Sequence, residues 1–327
     1  MRFFKDKKVL FITTKNLDYI RNSQEIDILK EDAKSLDVIG YEDKSYPKRL
    51  MKVYKDLLFK DVSGYDVIFI GFAPQLIVPL FNFKFKGKVV VIDFFISVYD
   101  TMVHDRKKVN DGTFPAKMMK WLDMACIRSA KIVMSDTNAH GDYFARDFKV
   151  NRNKIKTLYL KADEKIYYPR ESVKPDKLKD KFVVLYFGSV LPVQGVKYIM
   201  GAMDMLKNEK DIYFYFIGPV SDDIEKAESD NIEYIHWLSQ EELAECISYA
   251  DLCLAGHFDV SIGKARRTIP GKAYIYEMMR KPMILGDSRA NRELFKEDDY
   301  HYFVEMSNST AIAYKILEIK SNCLTNR

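Results

Sequence analysis

Short, almost uninterrupted apolar runs recur along this chain, each followed by a longer stretch of mixed character, and the series breaks once in the middle. In the first half the runs are KKVLFITT (7–14), Leu36 to Gly40, YDVIFIGF (65–72), KVVVIDFF (88–95), AKIVMSD (130–136) and NKIKTLYL (153–160). Runs that are apolar at nearly every position, rather than every second one, suit parallel strands covered on both faces. Pro115 to Ala130 and HGDYFARDF (140–148) have helical spacing. Val67 to Phe83, broken by Pro74, Gln75 and Pro79, reads as a buried strand, a turn and a short helix.

The stretch 162–180, ADEKIYYPRESVKPDKLKD, loses periodicity and gains charge and two prolines, which is the composition of a linker. The series then restarts with KFVVLYFGS (181–189), a helix from Val196 to Lys207, and strands in DIYFYFIG (211–218) and NIEYIHWL (231–238). A helix (Gln240 to Tyr249), a strand (ADLCLAG, 250–256), a helix (Gly271 to Arg280), a strand (PMILGD, 282–287) and a helix (Thr310 to Ile319) complete it. Strands alternating with helices on both sides of the break predict two doubly wound α/β domains, 1–168 and 181–327, with the linker at about 162–180. A chain of 327 residues is long enough to need two cores.

Several function classes lose their marks. No GxGxxG follows a strand, and no GxxxxGK[ST], HExxH or GxSxG occurs, which argues against dehydrogenase, NTPase, zinc-protease and α/β-hydrolase chemistry. Five histidines and four scattered cysteines (Cys126, Cys246, Cys253, Cys323) form no metal-ligand pattern. The cysteines read as reduced, buried thiols of a cytoplasmic protein. The start, MRFFKDKKVLFITT, has no cleavage-site pattern, and no run of about twenty apolar residues exists. Net charge is +5 but uneven: residues 1–168 carry 31 Lys/Arg against 22 Asp/Glu, and residues 169–327 carry 21 against 25. A basic first half fits an anionic partner, either a membrane surface or a phosphate-bearing substrate, or is a solvated basic face. No feature points to nucleic acid.

Four segments concentrate chemistry. In YFGSVLPVQGVKYIMGAMDML (186–206) a strand ends at Gly188 and Gly195 opens a helix, whose N-terminal N–H groups suit phosphate. In GHFDVSIGKARRTIPGKAYIYEMMRKPMILGD (256–287), Lys264, Arg266, Arg267 and Lys272 lie within nine residues between two strands. Loops at the carboxyl ends of parallel strands are where such sheets bind ligands, and four cations there suit a pyrophosphate, or else make a solvated basic loop. In VVVIDFFISVYDTMVHDRKKVNDG (89–112), Asp93, Asp100, His104 and Asp105 follow a strand, where they orient hydroxyls and move protons or cap helices. In MSDTNAHGDYF (134–144), Asp136, Thr137 and His140 sit at a strand-to-helix turn, with the same two readings open.

The order FGSVLPVQGVKYI, IHWLSQEELAECISYADLCLAG, KARRTIPGKAYIYEMMRKPMILGDSRANRELF resembles the retaining glycosyltransferases of GT-B fold usually numbered family four. DFFISVYDT…DR and SDTNAHGDYF look like a bacterial and archaeal subgroup of that family. The resemblance covers nearly the whole chain and is best over 181–305. It implies two Rossmann-like domains facing a central cleft, with the nucleotide-sugar mainly on the second domain and the acceptor on the first. It implies transfer with retention and no metal or other cofactor, the leaving diphosphate being stabilised by basic side chains and a helix N-terminus.

Members commonly carry Arg and Lys where this chain has Ser189 and Gln194, so Lys264, Arg267 and Lys272 are expected to supply the phosphate charge. The family's ribose-binding Glu falls on Ile275; Glu277 stands two residues on, about 200° round a helix. Glu293 matches a recurrent Glu, and the base is expected near His236 and Trp237. Gly188, Ser189, Gln194, Gly195, His236, Trp237, Glu277 and Glu293 are thus donor-side candidates. Asp93, Asp100, His104, Asp105, Asp136 and His140 are acceptor-side candidates. The expected partners are a nucleoside-diphosphate sugar and a glycan or lipid-linked acceptor, with the basic half resting on the inner face of a membrane. The competing readings are a silent glycosyltransferase-like subunit that binds a partner enzyme, and a sugar-nucleotide epimerase on the same fold.

Overall fold

The computed structural model describes residues 2–325. The chain divides into two compact units, one ending at Lys161 and the other beginning at Ala162. The first holds a sheet of six parallel strands in the order β2-β1-β3-β4-β5-β6. They are β1 (Lys8–Ile12), β2 (Ser35–Ile39), β3 (Val67–Ile70), β4 (Val89–Asp93), β5 (Ile132–Ser135) and β6 (Ile155–Thr157). Between them run α1 (Ile20–Asp32), α2 (Tyr46–Phe59), α3 (Val78–Phe81), a π-helical turn (Asp100–Asp105), α4 (Phe114–Ser129) and α5 (Asn138–Asp147).

The central strands are apolar at every position because both faces are covered. Leu10, Ile68, Ile92 and Val133 pack under α2 to α5 with Val53, Leu57, Phe81, Ile127 and Phe144. Val9, Phe69, Val91 and Met134 point the other way, to Ile26 and Leu29 of α1. A right-handed crossover explains the division: the move from β1 out to β2 puts α1 on one face, and every later step in the opposite direction puts its helix on the other.

The second sheet, also all parallel, has the order β12-β11-β10-β7-β8-β9. Its strands are β7 (Phe182–Phe187), β8 (Ile212–Ile217), β9 (Ile232–Ile235), β10 (Leu252–Leu254), β11 (Met283–Gly286) and β12 (His301–Val304). Its helices are α6 (Val196–Met205), α7 (Gln240–Tyr249), α8 (Gly271–Met278), α9 (Asn291–Leu294) and α10 (Ser309–Thr325). Winding starts at β7, goes out through β8 and β9, then returns to the other side of β7 at β10. The β8–β9 connection, 218–231, forms no helix.

The segment 162–180 is bound to the second unit. Ser172 Oγ donates to Ser248 Oγ at 2.6 Å, Lys174 pairs with Asp251, and Lys177 pairs with Glu233 at 2.6 Å. Cys126 and Cys253 are buried, whereas Cys246 is half-buried and Cys323 is exposed, so burial describes only two of the four thiols. No described helix is long and apolar enough to cross a membrane.

Candidate functional site

In the second unit the winding reverses between β7 and β10. Loops leaving two such strands go to opposite faces and open a crevice at the carboxyl edge. Here those loops are 188–195 and 255–270, and they are laced together. Phe258 N–H donates to the Gln194 carbonyl at 3.3 Å. Gly195 sits at φ 68°, and a Cβ there would lie 2.7 Å from Asp259 N. Gly256 sits at φ 81°, and its Cβ would lie 2.5 Å from Gln194 Oε1 and 3.0 Å from Lys272 Nζ. Both positions need glycine for backbone angle and for space at once.

Lys272, the second residue of α8, is only 6% exposed. Its Nζ donates to Gln194 Oε1 at 2.5 Å and lies 4.8 Å from the centre of the Tyr186 ring. Among the described residues it makes no ion pair. Burial pushes its ammonium down to about 7, because nothing anionic replaces the lost hydration. Beside it, the Tyr186 hydroxyl is buried without a hydrogen-bond partner, and burial pushes its ionisation up. A Cβ on Gly188 would lie 2.7 Å from that hydroxyl and 3.3 Å from Lys272 Nζ. The first turns of α6 and α8 have no side-chain cap. A cation, a spare hydroxyl donor and uncapped helix N–H groups at one point are what an anion requires.

The other donor-side candidates lie in the same unit. Ser189 is exposed in the loop after β7, and Gly188 and Gln194 line the group just described. Lys264 lies in a 3-10 turn (Gly263–Arg266) with Arg267 directly after it. That turn is held by Thr268 Oγ1 donating to the Lys264 carbonyl at 3.0 Å. It is held further by Ala290 N–H donating to the Arg266 carbonyl at 3.4 Å, which also brings up the segment carrying half-buried Glu293. His236 and Trp237 follow β9 at the edge of the sheet, and both are exposed.

Glu277 is placed elsewhere. It lies in the last turn of α8, at the amino edge of the strands, and its Oε2 accepts from His301 Nε2 at 2.7 Å. His301 begins β12 and pairs in register with Met283, the first residue of β11. A helix between parallel strands runs back along the sheet, so its end lies opposite the ligand edge. Glu277 thus stands apart from the candidates in the carboxyl-edge loops, as its offset from Ile275 around the helix implies. A cavity of about 580 Å³ opens beside α6, lined by Leu191, Lys197, Met200, Ser221, Glu225 and Asp259 among others. Its lining includes Ser221 and Asp223 to Ala227 of the helix-free connection 218–231. Neither Lys272 nor Tyr186 lines the cavity.

In the first unit, Asp93 ends β4 and is bound to Arg21: Nη2 reaches Oδ1 at 3.0 Å and Nε reaches Oδ2 at 3.2 Å. Glu25 lies 3.5 Å from the same guanidinium, and burial with the adjacent Asp93 raises its carboxyl well above the usual range. Asp136 Oδ1 accepts from His140 Nδ1 at 2.6 Å, both buried, while Thr137 rather than Asp136 caps α5. Asp100 is buried and accepts from Tyr143 Oη at 3.2 Å. Asp105 is buried in the same π-helical turn, and His104 is exposed against the Tyr99 ring.

The sequence reading passed over Arg21, Glu25, Asp123 and Tyr186. Asp123 is fully buried and accepts from Gln75, Ser97, and the backbone of Val98 and Tyr99, fixing the approach to Asp100. Its signal was a carboxylate on the inward stripe of α4, in line with Ala116, Cys126 and Ile127.

Residues 181–322 match the family of glycosyl transferases group 1. That span contains Gly188, Gln194, Lys264, Arg267 and Lys272. Solved structures with the same fold span nearly the whole chain. The sucrose-phosphate synthase of Thermosynechococcus elongatus has a TM-score of 0.67 at 12% identity, covering 97% of this chain and 90% of that one. Anabaena HepE in complex with UDP has a TM-score of 0.64 at 13% identity, with 97% and 90% covered. The fold is therefore GT-B, two doubly wound parallel sheets in one chain. A 41.2 kDa protein in the cps region of Klebsiella pneumoniae is 23% identical over 199 residues. The match takes in 59% of this chain and 54% of that protein, so the chain spans about half the length of this curated relative.

Proposed function

We propose that the chain is a retaining glycosyltransferase that moves a sugar from a nucleoside-diphosphate sugar to a hydroxyl acceptor without a metal ion. The observation that carries the proposal is Lys272, a buried cation with no carboxylate, held by Gln194 at the reversal point of a sheet whose sequence matches glycosyl transferases group 1. Such a group is costly without a ligand and complementary to a diphosphate with one. Gln194, standing where a cation was expected, presents Lys272 instead. That favours a working donor site over a silent subunit.

In the proposed reaction the bond from the anomeric carbon to the diphosphate oxygen breaks, and the charge accumulating on that oxygen meets Lys272, the Tyr186 hydroxyl and the N–H groups of α8. Lys264 and Arg267, in the adjoining turn, serve the outer phosphate oxygens. The acceptor oxygen bonds to the anomeric carbon on the same face, and its proton passes to the departing phosphate, so configuration is retained. On the acceptor side Asp100 is the leading residue, with Asp93, His104, Asp105, Asp136 and His140 in the same unit. The acceptor is a glycan, glycolipid or lipid-linked saccharide.

Anabaena HepE has been solved with UDP and with UDP-glucose, so uridine diphosphate sugars are the first donors to test. A thermal-shift screen with UDP, GDP, dTDP and CMP sugars should show stabilisation by one nucleotide series, since ligand binding to the folded state raises its melting temperature. Silence across the panel would favour the non-catalytic reading. Interconversion of two sugar nucleotides without an acceptor would favour the epimerase. Asp100→Asn should impair acceptor use more than donor binding, read as a larger change in the acceptor KM or kcat than in the nucleotide-induced shift.

A further inference from the structure

The helices α2, α3 and α4 cover one face of the first sheet, and their solvent-facing side carries large apolar side chains where polar ones are ordinary. They are neighbours. Lys84 Nζ, in the turn after α3, donates to the carbonyls of Leu57, Leu58 and Lys60 at the end of α2. The rings of Tyr54 and Phe81 stand 5.5 Å apart, and α3 packs on α4. The inward stripe of α4 carries Ala116, Asp123, Cys126 and Ile127. Its outward stripe carries Phe114, Met118 and Trp121, spaced four and three residues apart, with Phe114 79% and Trp121 60% exposed. Leu80 of α3, Phe83 (71% exposed) in the turn after it and Phe59 (82% exposed) at the end of α2 are exposed as well. Isolated exposed hydrophobics are ordinary, but here five lie on three adjoining helices and a sixth, Phe83, in the turn after α3.

Lysines are interleaved with these side chains. Lys48, Lys55, Lys86 and Lys117 are exposed, and none makes a side-chain bond among the described residues. The acids nearby are occupied: Asp56 accepts from Tyr41, Asp111 from Tyr99 at 2.8 Å, and Asp147 pairs with Lys120 at 3.4 Å. The whole unit carries 30 Lys/Arg against 20 Asp/Glu, whereas the second unit carries 22 against 27. A second copy docked through the same patch would set these lysines against one another.

We propose that this outer side of α2, α3 and α4 docks on an anionic lipid surface, with Phe59, Phe83, Phe114 and Trp121 entering the headgroup boundary and Lys48, Lys55, Lys86 and Lys117 facing the lipid phosphates. Aromatic and long apolar side chains gain from leaving water at that boundary, and each lysine near the surface adds attraction that salt weakens. The proposal stands on the first unit alone and does not depend on the donor reading.

The chain has two tryptophans, so Trp237→Phe, used for the fluorescence reading alone, leaves Trp121 as the sole reporter on the patch, and the flotation and nucleotide measurements keep Trp237. The test is flotation with phosphatidylcholine vesicles, with and without about a third phosphatidylglycerol, at low salt and at about 0.5 M salt. Binding should require phosphatidylglycerol and fall at high salt. Trp121 emission should shift to the blue and be quenched by brominated lipid. Phe59→Ser with Phe83→Ser and Trp121→Ser, and separately Lys55→Glu with Lys86→Glu and Lys117→Glu, should each reduce partitioning by about tenfold or more. Nucleotide-induced stabilisation should survive in both variants, which separates failure here from failure of the donor site. No binding to anionic vesicles, unquenched Trp121, or equal binding by the variants would overturn the proposal. So would a concentration-dependent dimer, or retention on single-stranded RNA, that the same substitutions abolish while vesicle binding persists.

Discussion

Replacing Lys272 by methionine keeps the length and apolar stem of the side chain and removes its charge. The ammonium is held at about 7 against an ordinary 10.5. It therefore binds fewer protons in the folded chain than in the unfolded one between those values, and stability rises with pH across that window. Below about pH 7 the full penalty is present, and a shift from 10.5 to about 7 corresponds to about 5 kcal/mol. Methionine removes that penalty but leaves Gln194 Oε1 without its donor, a loss of about 1–3 kcal/mol. The net expectation for Lys272→Met without ligand near pH 6.5 is a gain of about 2–4 kcal/mol, or on the order of 5–10 °C in the transition of the second unit. By about pH 9.5 the advantage should vanish, since the wild-type amine is neutral there and the unfolded amine is beginning to lose its proton. Thermal unfolding from pH 6 to pH 10, with and without nucleoside diphosphate, measures this. The variant should be the more stable protein at neutral pH and the one that nucleotide no longer stabilises. A variant that is destabilised at pH 6.5, or whose stability difference from the wild type does not change with pH, would mean that no uncompensated cation is stored there.

Three further outcomes follow from other parts of the molecule. Lys264→Ala and Arg267→Ala should each lower turnover by about tenfold or more with smaller effects on folding, since each removes charge from the proposed leaving-group site; wild-type kcat in both would place the phosphates elsewhere. Asp123→Leu should cost about 3 kcal/mol or more in chemical denaturation, because Gln75, Ser97, Val98 and Tyr99 would be left as buried donors without an acceptor. Glu25→Gln should be tolerated. The folded carboxyl keeps its proton above the pH where the unfolded one loses it, so wild-type stability falls as pH rises from about 4.5, and the amide should flatten that slope in a urea series.

The strands were legible because burial on both faces leaves near-continuous apolar runs, and KVVVIDFF and KFVVLYFGS announce central strands without help from neighbours. Helix α7 was legible from its composition, and Ser239 and Glu242 form a reciprocal cap at its start. Helix α1 was hard to see for the opposite reason. Its inward face carries Arg21, Asn22 and Glu25 beside Ile26 and Leu29, so the apolar period is broken by a buried ion cluster. The short strand β12 has only HYFV to show, and its first residue is committed to Glu277 and Asp298.

At the site, the cation-rich loop and the glycines were visible in the sequence, but the Gln194–Lys272 bond spans 78 positions and could not be. The displacement of Glu277 followed from helical geometry, and its partner His301 shows where that rotation leads. Tyr186 looked like one more apolar strand residue. Only the packing of the two glycine loops shows that its hydroxyl ends without an acceptor next to a cation.

The second unit is proposed to hold a nucleoside diphosphate against Lys272. Calorimetric titration of the full chain with a nucleoside diphosphate and the matching monophosphate, repeated on Lys272→Met, tests it most directly. The wild type should prefer the diphosphate by at least about tenfold and take up protons on binding near pH 7.5, as the arriving charge recharges the amine, and the variant should lose both the preference and the uptake. Equal affinity for the two nucleotides in the wild type, or an unchanged preference in Lys272→Met, would contradict it.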